Sequence, residues 1–121
     1  MKKTLSRSDI LNATSRLKTE TIELPEWGGS VVVRELTGAE RDAWEASIIT
    51  SDGAQSPETM RNVRAKLIVK TIIDDEGELL FTDDDIDRVG ALSGSTLNKI
   101  FEVACRLSAL TAAEMDELEG N

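Results

Sequence analysis

The sequence predicts an α+β fold: a mostly helical single domain in which an N-terminal β-hairpin packs on four to five helices. Three observations carry that prediction. Thr21-Ile22-Glu23-Leu24 alternates polar and apolar residues as a half-buried strand does. Val31-Val32-Val33 resumes an extended, β-branched run after the Gly28-Gly29 pair. Thr37 with Glu40 then has the three-residue spacing of a reciprocal helix cap, and Thr111 with Glu114 repeats it near the C-terminus.

In chain order, Ser6 to Arg16 is expected to form a short helix capped by Ser8, with Ile10, Leu11 and Leu17 as its apolar residues. Pro25 lacks an amide donor and so favours an edge or a turn, and Gly28-Gly29 can take positive φ without a Cβ clash and reverse the chain. Gly38 to about Thr50 reads as a helix with Ala43, Trp44, Ala46, Ile48 and Ile49 as an imperfect apolar stripe. Ser51 to Ser56 is polar and contains glycine, which predicts the most mobile connection of the domain. Pro57 fits the first position of the next helix, and Glu58 suits the positive end of its dipole. That helix is expected to run to about Ile73, and Met60, Val63, Leu67, Ile68, Val69, Ile72 and Ile73 place it at the centre of the core. Asp74 to Glu78 ends it, with Gly77 able to turn the chain, and Leu79-Leu80-Phe81 follows as a short extended anchor.

Thr82 precedes Asp83-Asp84-Asp85 and caps a brief helix carrying Ile86, Val89 and Leu92. After Ser93-Gly94-Ser95, the residues Leu97, Ile100, Phe101, Ala104, Leu107 and Leu110 follow helical spacing through a long segment. The cap at Thr111 begins a terminal helix with Met115 and Leu118 and a strongly acidic outer face. The domain is taken as residues 1–121, with 1–7 and 119–121 expected to be flexible.

Composition bounds the chemistry. A chain of 121 residues supports one ordinary core, and 40% apolar with 31% charged residues is the balance of a globular protein. No uninterrupted apolar run approaches the roughly 20 residues of a membrane helix. The basic start, Met1 to Arg7, is followed by Asp9, Asn12 and Arg16 where a signal peptide needs apolar residues, so secretion is not expected. A net charge of −9 argues against nucleic-acid phosphates and anionic lipid as partners and favours a neutral or basic one. The absence of histidine removes the commonest general base and zinc ligand. Cys105 has no second cysteine to bridge to, and its place in the helical apolar pattern reads as packing.

No motif of covalent chemistry emerges. Asp83, Asp85 and Asp87 alternate as in an EF-hand loop, but Arg88 and Gly94 stand where that loop needs glycine and glutamate. There is neither a Gly-x-Ser-x-Gly elbow nor a phosphate-cradling glycine loop, so no enzyme, cofactor or metal is expected. Trp44 belongs to the inner stripe of its helix. Trp27, beside a glycine turn, reads equally as turn packing and as an interface anchor.

Read in order, Leu24-Pro25-Glu26-Trp27-Gly28-Gly29 leading into Val33-Arg34-Glu35-Leu36-Thr37-Gly38-Ala39-Glu40-Arg41, and later Leu80-Phe81-Thr82-Asp83-Asp84-Asp85, form phrases of a known family. With Leu97-Asn98-Lys99-Ile100-Phe101 and the Leu110-Thr111 cap, the chain resembles the tail assembly chaperones of long-tailed bacteriophages, especially those of lambdoid type. The likeness runs from about Leu5 to Leu118 and rests on packing and capping devices. It implies a factor of the host cytoplasm, absent from the finished virion, that coats the tape measure protein, keeps it soluble and recruits tail tube subunits. A longer, frameshifted form often accompanies the short one, and this chain would be the short form. Weak self-association would suit a protein that coats a long polymer.

A chaperone for aggregation-prone helices needs apolar binding surface and like charge for solubility. Trp27, Leu79, Phe81, Met115 and Leu118, at turns and element ends, are the candidate contributors to a partner-binding patch. Ordinary edge-of-core packing is the competing reading for each. Two other functions fit a small acidic phage domain: a structural tail tube or head-tail connector protein, and an inhibitor that imitates phosphate charge on a host nucleic-acid-binding protein.

Overall fold

A computed structural model describes residues 3–13, 17–48, 53–54 and 56–109 of the chain. The hairpin forms as the pattern predicts. Strand β1 (Thr19–Leu24) pairs antiparallel with β2 (Gly29–Arg34), with Ile22 opposite Val31 and Leu24 opposite Gly29. The reversal includes a 3-10 turn at Pro25–Trp27, where the Gly28 amide donates to the Pro25 carbonyl at 3.1 Å. Positive φ falls on Gly28 alone of the pair, at 76°, and Gly29 already belongs to the strand.

The sheet has a third strand, in the order β1-β2-β3, where the sequence predicted a helix. Strand β3 (Ile72–Ile73) pairs antiparallel with Val32 and Val33, so the helix expected to reach Ile73 stops short. Thr71 ends it: its hydroxyl donates to the carbonyls of Leu67 and Ile68, and its own carbonyl accepts from the Arg34 amide at 2.8 Å. The β-branched pair that follows packs better on a pleated surface than on a continuing helix.

The same predicted helix is also broken inside, into α3 (Pro57–Met60) and α4 (Val63–Ile68). Asn62 between them is left-handed, with φ 56°, a conformation its short polar side chain tolerates. Its carboxamide donates to Asp87 at 2.9 Å and lies against the backbone at Gly90, where any Cβ would overlap it. The break therefore coincides with the docking of α5 (Ile86–Gly90).

The N-terminal helix α1 (Arg7–Leu11) is capped by Ser6 through a reciprocal box with Asp9, and not by Ser8 as expected, because Ser8 already lies inside the helix. It carries no buried residue. In α2 (Gly38–Ser47) the box between Thr37 and Glu40 is present as predicted. Trp44 and Ile48 are buried there, whereas Ala43 and Ala46 of the expected stripe are exposed. The turn after β3 has Gly77 at φ 84°, with Asp74 Oδ1 accepting the amides of Glu76 and Glu78. Thr82 caps the 3-10 turn Asp83–Asp85 that leads into α5, and Ser93 caps α6 (Gly94–Leu107). Thr96, Leu97, Ile100, Phe101, Ala104, Cys105 and Leu107 of α6 are buried, so the packing role expected of Cys105 holds. Leu110, the capped terminal helix and most of the loop from Ser51 to Ser56 lie outside the described residues.

A largely shielded ion pair joins β2 to the start of α2. Arg34, 8% exposed as a residue, grips Glu40 with two bonds of 2.7 Å from its guanidinium while Glu40 also accepts the Thr37 amide. Arg34 holds the Glu40 carboxyl down at about 2, against its ordinary 4.5, more than offsetting the opposing effect of burial, and the Thr37 amide assists. Glu40 thus stabilises the fold above about pH 4.5, and that contribution is lost as pH falls toward about 2.

Two outcomes follow for stability. Glu40→Gln is expected to lower stability by ~1–3 kcal/mol at neutral pH, with the difference from wild type shrinking as pH drops below about 4.5, checked by urea denaturation across that range. Gly90→Ala should cost about 1 kcal/mol, the worth of the Asn62–Asp87 bond given up as the carboxamide turns aside, and less in an Asn62→Gly background; a double-mutant cycle reads the coupling.

Candidate functional site

The hairpin turn, the stretch after β3 and helix α5 converge over the first half of α6, and they do not cover it completely. What remains is an apolar groove of about 180 Å³. Its floor is core: Ile68, Ile72, Val89, Leu97 and Ile100, all buried. Its rim is Trp27 from the turn, Val31 from β2, Leu80 and Phe81 from the extended stretch, and Leu92 after α5. Trp27 is 41% exposed, Leu92 44% and Leu80 52%, so large apolar groups face water around a fixed base.

Local structure explains each rim position. Trp27 closes the 3-10 turn and is held over α6 because its neighbour Glu26 accepts from Lys99 Nζ at 2.8 Å and from the buried Thr96 hydroxyl at 3.1 Å. Lys99 keeps the Glu26 carboxyl below its ordinary range. The Leu80 amide donates to the Ile72 carbonyl at 3.0 Å, which lays the extended stretch along β3. Leu92 follows the end of α5, where the chain turns to the Ser93 cap of α6.

The sequence-derived candidates separate. Trp27 and Phe81 stand together on the groove. Leu79 does not line it: it bridges Ile73, and residues directly opposite in an antiparallel pair share a face, the one away from Ile72. Its neighbour Leu80 takes the rim position, which no feature of the sequence assigned to it. Met115 and Leu118 lie outside the described residues. Leu92 was visible as an apolar residue just before a Ser-Gly-Ser break, but a break does not reveal that its side chain stays uncovered. Trp44, by contrast, is buried as its stripe position predicted.

None of the ten side chains lining the groove ionises or carries a nucleophile. The site can bind by removing apolar surface from water, and it cannot by itself transfer a proton or form a covalent bond. Its volume is below the roughly 300–1,000 Å³ of pockets that enclose a drug-sized molecule, so it fits side-chain anchors of a larger partner. A second recess of about 290 Å³ continues from it past Phe81, Val89 and Leu92 to Asp85 and Arg88.

Residues 6–120 match a family model described as phage tail assembly chaperone. Comparison with curated proteins returned no match. Among solved structures, the tail assembly chaperone of bacteriophage HK97 superposes with a TM-score of 0.61 at 20% sequence identity, covering 84% of this chain and 98% of that one. At that identity the structural likeness speaks to fold alone.

The rim and floor should respond differently to substitution. Leu80→Ser and Leu92→Ser, each at a half-exposed position, are expected to cost about 1 kcal/mol, whereas Ile100→Ala should cost ~2–5 kcal/mol, as read from urea denaturation midpoints.

Proposed function

This chain belongs to the phage tail assembly chaperone family, and from that premise we propose that its apolar groove holds exposed apolar segments of the tape measure protein during tail assembly. A chaperone of this family acts inside the infected host cell, and its role is not enzymatic. Among the described residues no helix is long and apolar enough to cross a membrane.

The single observation that carries the reading is the groove: an uncovered apolar rim on a floor continuous with the core, on a chain of net charge −9. A long helical polymer awaiting its tube exposes apolar stripes that would otherwise meet one another. Covering such stripes with a strongly anionic domain keeps the complex dispersed, because like charges oppose association. Binding through side-chain anchors leaves the complex reversible, so that tail tube subunits can displace or be recruited by the chaperone as the tube grows. In this reading Trp27 and Phe81 are direct contacts, joined by Leu80 and Leu92. Leu79, exposed beside the groove, adds to the apolar surface, and Met115 and Leu118 are further contacts proposed from the sequence alone. The protein leaves the assembly before the virion is complete.

Co-expression tests this. Soluble tape measure protein is expected to fall several-fold when wild-type chain is replaced by the Trp27→Ser/Leu80→Ser/Leu92→Ser variant, provided circular dichroism shows the variant folded. Equal solubility with the folded variant, or without any chain at all, overturns the proposal, as does recovery of the protein at stoichiometric levels in purified virions.

A further inference from the structure

Resting on the reading of the groove as a docking site, we propose that its preferred occupant is a cationic amphipathic helix, whose apolar side chains enter the groove while Lys or Arg residues beside them meet a band of uncompensated carboxylates.

The shape favours a helix over a compact ligand. The groove and the shallower recess beside it share Phe81, Val89 and Leu92, so the two adjoin and make a track of neighbouring positions for successive anchors. Side chains spaced at i, i+3 or i+4, and i+7 on a helix enter such a track in sequence.

Charge selects among helices. Between Thr71 and Asn98 the chain carries eight carboxylates against Arg88 alone. The extended stretch that forms one wall is bracketed by them, with Glu78 before Leu79 and Asp83-Asp84-Asp85 after Thr82. The cations at the borders are engaged: Lys70 pairs with Asp83 at 3.3 Å and Lys99 with Glu26 at 2.8 Å. Asp75, Glu76, Glu78 and Asp84 are exposed and have no ion pair among the described residues. In the recess itself Asp85, which accepts the Thr82 amide, and Arg88 both line the wall, so the unbalanced charge is that of the acids around it. Charges interact over about a Debye length, ~10 Å at 0.1 M salt, so the flanks of an occupant feel whichever of these groups lie within that reach. Positive flanks are attracted there and negative flanks repelled, which gives both faster encounter and discrimination. A second copy of this chain, with its own charge of −9, is a poorer match to the same field.

Tryptophan emission reads the groove directly, since Trp27 stands on its rim while Trp44 is buried and supplies a constant background. The probes are a synthetic amphipathic helix with leucines at i, i+3 and i+7 and lysines on its polar face, and a twin with glutamate at each lysine. Titrated into the full chain, the lysine peptide is expected to shift Trp27 emission to shorter wavelength and to bind at least about tenfold tighter than its twin in low salt. That ratio should fall several-fold at high salt and again in a Glu78→Gln/Asp84→Asn variant, whose changed side chains are exposed and make no ion pair among the described residues. Equal, salt-independent binding of both peptides overturns the charge selection and leaves groove docking intact. A Trp27 shift that depends on the concentration of the chain itself, with neither peptide competing, overturns the proposal in favour of a second copy as the occupant. The solubility of co-expressed tape measure protein tests the docking reading independently of either peptide.

Discussion

Burial of one face of α6 is the constraint on which the rest of the structure depends. Its apolar residues are packed by α4 and by the sheet, and each fully buried Leu, Ile or Phe contributes about 1.5–3 kcal/mol relative to exposure. Polar bonds then fix the helix along its length. Thr96 and Lys99 hold the hairpin turn through Glu26, and Arg106 grips Glu20 of β1 with two bonds of 2.9 Å. At the far end the Ser108 hydroxyl accepts the Leu36 amide, and its carbonyl accepts from Arg41. Because packed interiors yield little, these contacts determine where every covering element must sit.

The groove is what that arrangement leaves uncovered. Three short strands and the one-turn helix α5 cannot reach across the whole face of α6, so its first half is roofed at the edges and open between them. A floor made of core residues gives the site a preformed shape, and a rim of exposed large side chains gives it adaptable contact area. Preorganised apolar surface of this kind lowers the ordering cost of association. That combination suits a partner held without chemistry and later released, which is the work a tail assembly chaperone is proposed to do here.

Charge in this protein is divided by task. Many of the cations tie one element to another: Arg34 to Glu40, Lys99 to Glu26, Arg106 to Glu20 and Lys70 to Asp83. The pair of Arg34 and Glu40 is the substantial one, because it is largely shielded from water and bidentate; exposed pairs are typically worth less than about 1 kcal/mol. The acidic excess is concentrated beside the groove, around the turn after β3 and the start of α5. Apart from the caps, the Asp74 turn, the Lys70–Asp83 pair and the Asn62–Asp87 bond, these acids have no internal partner among the described residues, and their charge faces an approaching partner.

By itself the sequence determined whatever depends on neighbours within a few residues. The hairpin from Thr21 to Val33, the reciprocal cap at Thr37, the cap at Thr82, the turn at Gly77 and the buried stripe of α6 are all set by local hydrogen bonds and side-chain periodicity. Tertiary structure decided the rest. Val69, Ile72 and Ile73 continue a helical apolar pattern as well as they begin a strand, and only the waiting edge of β2 made the second choice the better one. Asn62 breaks its helix at the place where it meets Gly90, a contact between residues distant in sequence. Leu79 and Leu80 are indistinguishable as letters. Pairing with Ile73 turns the first away from the groove and leaves the second on its rim, because which face a side chain occupies is set by the strand beside it.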